Sequence, residues 1–243
     1  VAIEKADAAL QSAQGGSPEL AEAARLVAIE ALWRDGRLEE ALQRIENAAR
    51  TSSAPQSDAM RYHYAWVLWR LGRGQRALEV LQRMTDDPQW RSRSSLLYAR
   101  IVAESNPGEA LERLESFADK TGPVADEAKL LKGHILGEGT QDGYSPLFKE
   151  LYDAGTRTDD AVFSEAARLY SAHAFEAGST NAAVKAARDA VERAPSAELK
   201  RKAEIQLALE EFYGADTRTN AVGRLRSIIE AFPDAEEIGR AHV

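Results

Sequence analysis

The 243-residue chain contains no cysteine. This excludes disulfides, thiolate metal sites and cysteine nucleophiles. It assigns no compartment, because a cysteine-free chain suits the cytosol and the bacterial periplasm alike. Long apolar runs are missing too. Nothing approaches the roughly 18 consecutive apolar residues a membrane helix requires, and mean hydropathy is −0.42. Positive charge is not in excess: 31 Lys and Arg face 39 Asp and Glu, a net charge of −8, which argues against general nucleic-acid binding. No pair of alternating β-branched runs flanks a hairpin turn.

Helix formers are what the chain has. Ala, Leu, Glu and Arg dominate, and apolar residues recur at steps of three and four, as in Leu38, Ala41, Leu42, Ile45 and Ala48. With 44% hydrophobic and 29% charged residues, there is enough periodic apolar surface for a large core, which argues against disorder. Breakers recur along the chain, among them Gly36, Gly72, Pro88, Gly122-Pro123, Gly143, Gly178, Pro195, Gly214 and Pro233. The segments between them are about 12–18 residues long, the length of paired short helices. The expected class is all-α. The chain starts at Val1 inside a helical pattern, and AEEIGRAHV opens a helix at the other end. The expectation is a piece of a longer protein, or a processed form.

The strongest signal is a period. The pattern "small residue, three residues, large apolar" gives Ala41/Ile45, Ala77/Leu81, Ala110/Leu114, Leu147/Leu151, Ala183/Ala187 and Ala221/Leu225, in steps of 36, 33, 37, 36 and 38 residues. Gly36, Gly72 and Gly178 each lie five residues before the small residue, where a turn between helices belongs. Pro195 and Pro233 lie twelve after it, where the second helix ends, and Pro88 and Pro123 miss that position by one. Leu147 breaks the small-residue rule, and Gly133 to Gly139 reads as a helix end and turn.

On these residues the chain resembles the tetratricopeptide-repeat family, whose unit is a helix–turn–helix of about 34 residues. The segments LWRDGRLEEALQRIENA, LWRLGRGQRALEVLQRM and FEAGSTNAAVKAARDAVERAP carry the resemblance best. The family's early Trp-x-x-Leu-Gly-x-x-Tyr signature is intact in no repeat. The resemblance implies a right-handed superhelical solenoid of about six repeats. Its expected organisation is a partial repeat helix at 1–16, repeats at 17–55, 56–90, 91–122, 123–158, 159–196 and 197–233, and the start of a further helix at 234–243.

Signs of chemistry are few. His63, His134, His173 and His242 show no His-Glu-x-x-His spacing. Neither a phosphate-binding G-x-x-x-x-G-K-[ST] loop nor a G-x-S-x-G elbow occurs. No catalytic residue, metal ligand or cofactor is expected, and the chain reads as a non-enzyme.

The resemblance instead places function on the inner face formed by the first helix of each repeat. The family's inner-face positions fall on Leu26, Glu30, Trp33 and Arg34 in the first repeat, and on Tyr62, His63, Trp66, Trp69 and Arg70 in the second. In the third they fall on Arg93, Leu97 and Arg100, with the register offset by about one, and in the fifth on Arg168, Ala172 and Phe175. Trp, Tyr and Arg are the residue types of interface hot spots. Trp33, Arg34, Tyr62, His63, Trp66, Trp69, Arg70, Arg93 and Arg100 are therefore the candidate partner-binding set. The same aromatics would also serve as core between helices, and both readings stay open. Residues 31–103 hold twelve Arg and no Lys against eight Asp and Glu. That surplus suits a protein partner with an acidic segment or an anionic glycan, or simply a solvated outer surface. The family's Lys/Asn clamp for a C-terminal carboxylate is not matched: Leu26, Glu30, Tyr62 and Trp66 stand at those positions. The expected function is a protein–protein interaction scaffold. The alternative is a non-catalytic superhelical part of a larger bacterial envelope protein, such as a lytic transglycosylase or an exopolysaccharide-export subunit. The periplasm is preferred to the cytosol.

Overall fold

The structure, a computed structural model, describes residues 2–13, 18–51, 57–84, 87–138, 145–213 and 218–231. Gly15, Gly16, Pro55, Gly139, Gly143, Gly214, Pro233, His242 and the expected helix at 234–243 lie outside the described residues. Among those described, every regular element is helical. In order they are α1 (Ala2–Ala13), α2 (Pro18–Arg34), α3 (Leu38–Thr51), α4 (Asp58–Arg70), α5 (Gly74–Gln82), α6 (Pro88–Val102), α7 (Pro107–Glu115), α8 (Pro123–Gly137), α9 (Pro146–Ala154), α10 (Asp160–Glu176), α11 (Thr180–Arg193), α12 (Ala197–Tyr213) and α13 (Arg218–Ala231). A 3-10 turn, Gly155–Arg157, follows α9. The chain is all-α and repeats a helical hairpin. It divides into two compact units, residues 1–113 and 114–243.

The period has a physical basis in one recurring turn. Gly36, Gly72 and Gly178 adopt φ of +75°, +73° and +78°, the left-handed region that favours glycine. In each turn the glycine N–H donates to the carbonyl three residues back: Trp33 at 3.1 Å, Trp69 at 2.9 Å and Phe175 at 2.9 Å. The next N–H reaches back five residues, to Leu32, Leu68 and Ala174, at 2.9, 2.8 and 2.8 Å. This paired closure satisfies carbonyls that a helix end leaves without donors. Five residues beyond each glycine comes an alanine with no exposed surface: Ala41, Ala77 and Ala183. A bare methyl there lets the two helices of the hairpin approach closely, and Ile45, Leu81 and Ala187 one turn later are buried as well.

Prolines mark helix starts more than helix ends. Pro18, Pro88, Pro107, Pro123 and Pro146 are each the first residue of a helix, where a missing N–H costs nothing. At Pro88 and Pro146 the preceding residue caps the helix, the Asp87 carboxylate accepting from Gln89 N at 2.9 Å and the Ser145 hydroxyl from Leu147 N at 3.4 Å. This explains why Pro88 and Pro123 miss the helix-end position: they open α6 and α8. It also places the start of the third hairpin at residue 88 rather than 91.

In unit 1, Ile29, Leu32, Ile45, Met60, Val67, Leu68 and Leu97 belong to one buried cluster, against which Trp33, Tyr62, Trp66 and Trp69 pack while partly exposed. In unit 2 the hairpin α8–α9 inverts the packing rule. Gly133 lies inside α8 rather than at its end, and its Cα faces the fully buried Phe148 of α9. The small residue has moved to the first helix and the large one to the second. Leu147, half-buried, therefore need not be small. Unit 2 also buries two carboxylates on α12. Glu210 accepts from Ser171 Oγ on α10 and from Gln206 Nε2 at 2.8 Å through one oxygen, and its other oxygen is buried with no hydrogen-bond partner among the described residues. Glu211 pairs with Arg188 at 3.1 Å and Arg224 at 3.5 Å.

Candidate functional site

The nine candidate residues lie on three helices of unit 1: Trp33 and Arg34 on α2; Tyr62, His63, Trp66, Trp69 and Arg70 on α4; Arg93 and Arg100 on α6. The recurring turn decides where the aromatics sit. Trp33 and Trp69 each occupy the residue three before the turn glycine, so both indoles project from the last turn of their helices. Helical spacing then puts Trp66 one turn before Trp69 along α4, and the adjacent Tyr62 and His63 one turn before Trp66.

The rings form two groups along the face, Trp33 with Trp66 and Trp69, and Tyr62 with His63 and Trp90. Trp33 and Trp66 have centroids 4.2 Å apart, tilted by 42°, and Trp66 meets Trp69 edge-on at 6.5 Å. Tyr62 meets His63 at 5.6 Å. Both also meet Trp90, at 5.3 Å and 6.0 Å. Trp90 was not among the expected residues. It belongs to the first turn of α6, which the sequence division at 90/91 cut off. The Asp87-Pro88 pair, a capping residue before a first-turn proline, is the signal that places it on the helix.

Each of the chain's four tryptophans has an arginine over its ring. Arg34 lies 5.7 Å from the Trp33 centroid, Arg70 5.1 Å from Trp66, Arg100 5.9 Å from Trp69 and Arg93 5.6 Å from Trp90. These are cation–π distances. Several other arginines of the unit are matched to carboxylates: Arg37 to Glu40, Arg44 to Asp7, Arg61 to Asp58 and Arg76 to Glu46. Arg34 pairs with Glu30 at 2.6 Å. Arg70 and Arg93, both exposed, have no carboxylate partner among the described residues. The positive surplus of this segment thus includes two guanidinium groups on the aromatic face.

His63 is half-buried within this group. Burial holds its imidazole below the ordinary histidine range, the Glu30 carboxylate opposes that, and the Arg93 guanidinium reinforces it. The indole N–H of Trp33 is buried with no hydrogen-bond partner among the described residues.

Other inner-face positions behave differently. Leu97 is buried in the core, because the buried stripe of α6 runs through Leu96, Leu97, Ala99 and Val102. Arg168, in unit 2, is engaged by Glu165 at 2.7 Å. Among the described residues no group of three or more His, Asp or Glu could hold a metal ion, and no helix is long and apolar enough to cross a membrane.

The tetratricopeptide-repeat family model matches residues 32–101, the stretch from the end of α2 to the end of α6 that holds every aromatic and arginine of the face. No curated relative matches the chain. Repeats of this family mediate protein–protein interaction, and the fold is typically a non-catalytic scaffold. The Gly36 and Gly72 turns and the aromatic–arginine face fall inside the matched segment, and on that ground residues 32–101 are a tetratricopeptide-repeat segment.

Proposed function

We propose that the chain is a non-catalytic scaffold that binds a partner protein on the α2–α4–α6 face of unit 1, through an acidic segment of that partner. The observation that carries this reading is the pairing of tryptophans with arginines, two of which have no carboxylate partner among the described residues. A guanidinium lying over an indole is held in orientation by its π face while its N–H edge stays open. An edge with no internal partner accepts a carboxylate bidentately. The half-exposed indoles offer apolar contact around those charges, the composition of a hot-spot cluster.

The test is fluorescence anisotropy with a labelled Asp/Glu-rich peptide carrying two leucines, against wild type and the Arg70→Ala/Arg93→Ala variant. Saturable binding, weakened by salt and lost in the variant, supports the reading. An oligogalacturonate that displaces the peptide and binds more tightly than it moves the assignment to an anionic glycan. No saturable binding, or equal binding to both proteins, overturns it.

A further inference from the structure

His63 is the only histidine of residues 1–113, and it stands inside the aromatic–arginine face. Its ring completes a triangle with Tyr62 on its own helix and Trp90 on α6, meeting both edge-on, at 5.6 Å and 6.0 Å. α4 packs against α5, α3, α6 and α2, and the charged groups that act on His63 come from α2 and α6. From α2 comes Glu30, already bonded to Arg34 at 2.6 Å. From α6 comes Arg93, over the Trp90 ring and without a carboxylate partner among the described residues. Around the imidazole there are thus two aromatic rings, a cation and a carboxylate that another arginine shares.

That environment disfavours the protonated form of His63. Rings cannot replace the water an imidazolium loses on burial, and Arg93 repels the added charge. A carboxylate docked on Arg93 changes both terms at once: it offsets the cation and adds an anion beside the ring.

Resting on the acidic-segment reading above, we infer that the face binds its partner's acidic segment together with one proton, taken from solvent by His63, so that the complex tightens as pH falls. Arg93 is then the shared element. It recruits the carboxylate, and the recruited carboxylate makes the neighbouring imidazolium tolerable. The sign follows from linkage. The site binds more protons in the complex than alone, so affinity rises by at most about tenfold per pH unit across the interval between the two histidine titrations, and is flat above and below it. A partner carboxylate itself titrates near about pH 4, well outside that interval.

The experiment uses the full chain and the labelled Asp/Glu-rich peptide. Calorimetric titrations run from about pH 8 to about pH 6, in buffers of different ionisation enthalpy. NMR follows the His63 ring protons with and without peptide. The expected result is several-fold tighter binding at the lower pH, net uptake of up to one proton per complex and a His63 titration that moves upward on binding. His63→Gln is expected to remove the pH slope, whatever its affinity. A peptide that binds, loses binding with Arg70→Ala/Arg93→Ala and shows a flat pH profile overturns the proton coupling and leaves the acidic-segment reading standing. A slope that survives His63→Gln also overturns it. A peptide that binds at neither pH, or binds the double-alanine variant equally, takes down both.

Discussion

Gly133 on α8 presents a bare Cα to the ring of Phe148 on α9: a Cβ at that position would lie 2.6 Å from Phe148 Cε1 and 3.1 Å from Cδ1. Phe148 has no exposed surface, so the ring has nowhere to move without displacing its neighbours. Gly133→Ala should therefore destabilise by about 1–3 kcal/mol through overpacking, against a helix-propensity gain of only about 0.5–1 kcal/mol. Urea denaturation followed by circular dichroism measures the balance. Adding Phe148→Leu should return part of the loss, because the two changes act on one contact. An unchanged midpoint in Gly133→Ala would show that the ring has room to move aside.

Ala77 carries the same argument in unit 1. Its methyl is fully buried in the first turn of α5, as Ala41 is in α3. Ala77→Leu is expected to cost about 1–3 kcal/mol, while Gln75→Leu on the exposed side of α5 should stay within about 0.5 kcal/mol. Equal midpoints for the two variants would remove the close-approach role assigned to Ala77.

Glu210 sets a pH dependence. It stands four residues before Gly214, as Leu32, Leu68 and Ala174 stand before Gly36, Gly72 and Gly178, so a carboxyl occupies a slot that other repeats fill with an apolar side chain. Burial pushes its titration up, the Glu211 charge adds to that, and the bonds from Ser171 and Gln206 oppose it. A group raised in the folded state contributes stability below its unfolded range, and that contribution is lost as pH rises through its folded value. Glu210→Gln cannot ionise. Its stability relative to wild type should grow as pH rises from about 4 to about 8, by at most about 1.4 kcal/mol per unit. Paired thermal melts across that range would read it, and a pH-independent difference would dismiss the argument.

On the aromatic face, stability and recognition should separate by residue type. Arg70 is exposed and its contact with Trp66 is worth about 0.5–1 kcal/mol, so Arg70→Ala should leave the unfolding midpoint nearly in place. Trp66 touches both Trp33 and Trp69 and packs on the core. Trp66→Ala is expected to cost about 2 kcal/mol, roughly half the loss at a fully buried tryptophan. Midpoints that fall equally for both variants would contradict this division.

Much of the fold was legible because the turn glycines and buried alanines answer to backbone rules. A positive φ selects Gly36, Gly72 and Gly178, and helix proximity selects Ala41, Ala77 and Ala183. The fourth hairpin misled because close approach requires one small residue but does not say on which helix. There Gly133 supplies it and Phe148 fills the space, so the rule that Leu147 breaks is met by Gly133 instead. Trp90 escaped because the division between hairpins was drawn by period, whereas the Asp87 cap starts the helix three residues earlier. Leu97 was placed on the face because a family register is blind to which stripe of α6 meets the core. The unmatched guanidinium groups of Arg70 and Arg93 were hidden for another reason: a count of charges does not reveal which are already paired.

All four tryptophans lie in residues 1–113, on one face of one compact unit, whereas helices fill both units. Indole emission therefore witnesses the loosening of unit 1 alone, and far-ultraviolet ellipticity witnesses both. If the two units melt as one cooperative block, the two signals trace a single curve. If they melt in succession, the signals part, and the gap between them measures how far each unit stands without the other.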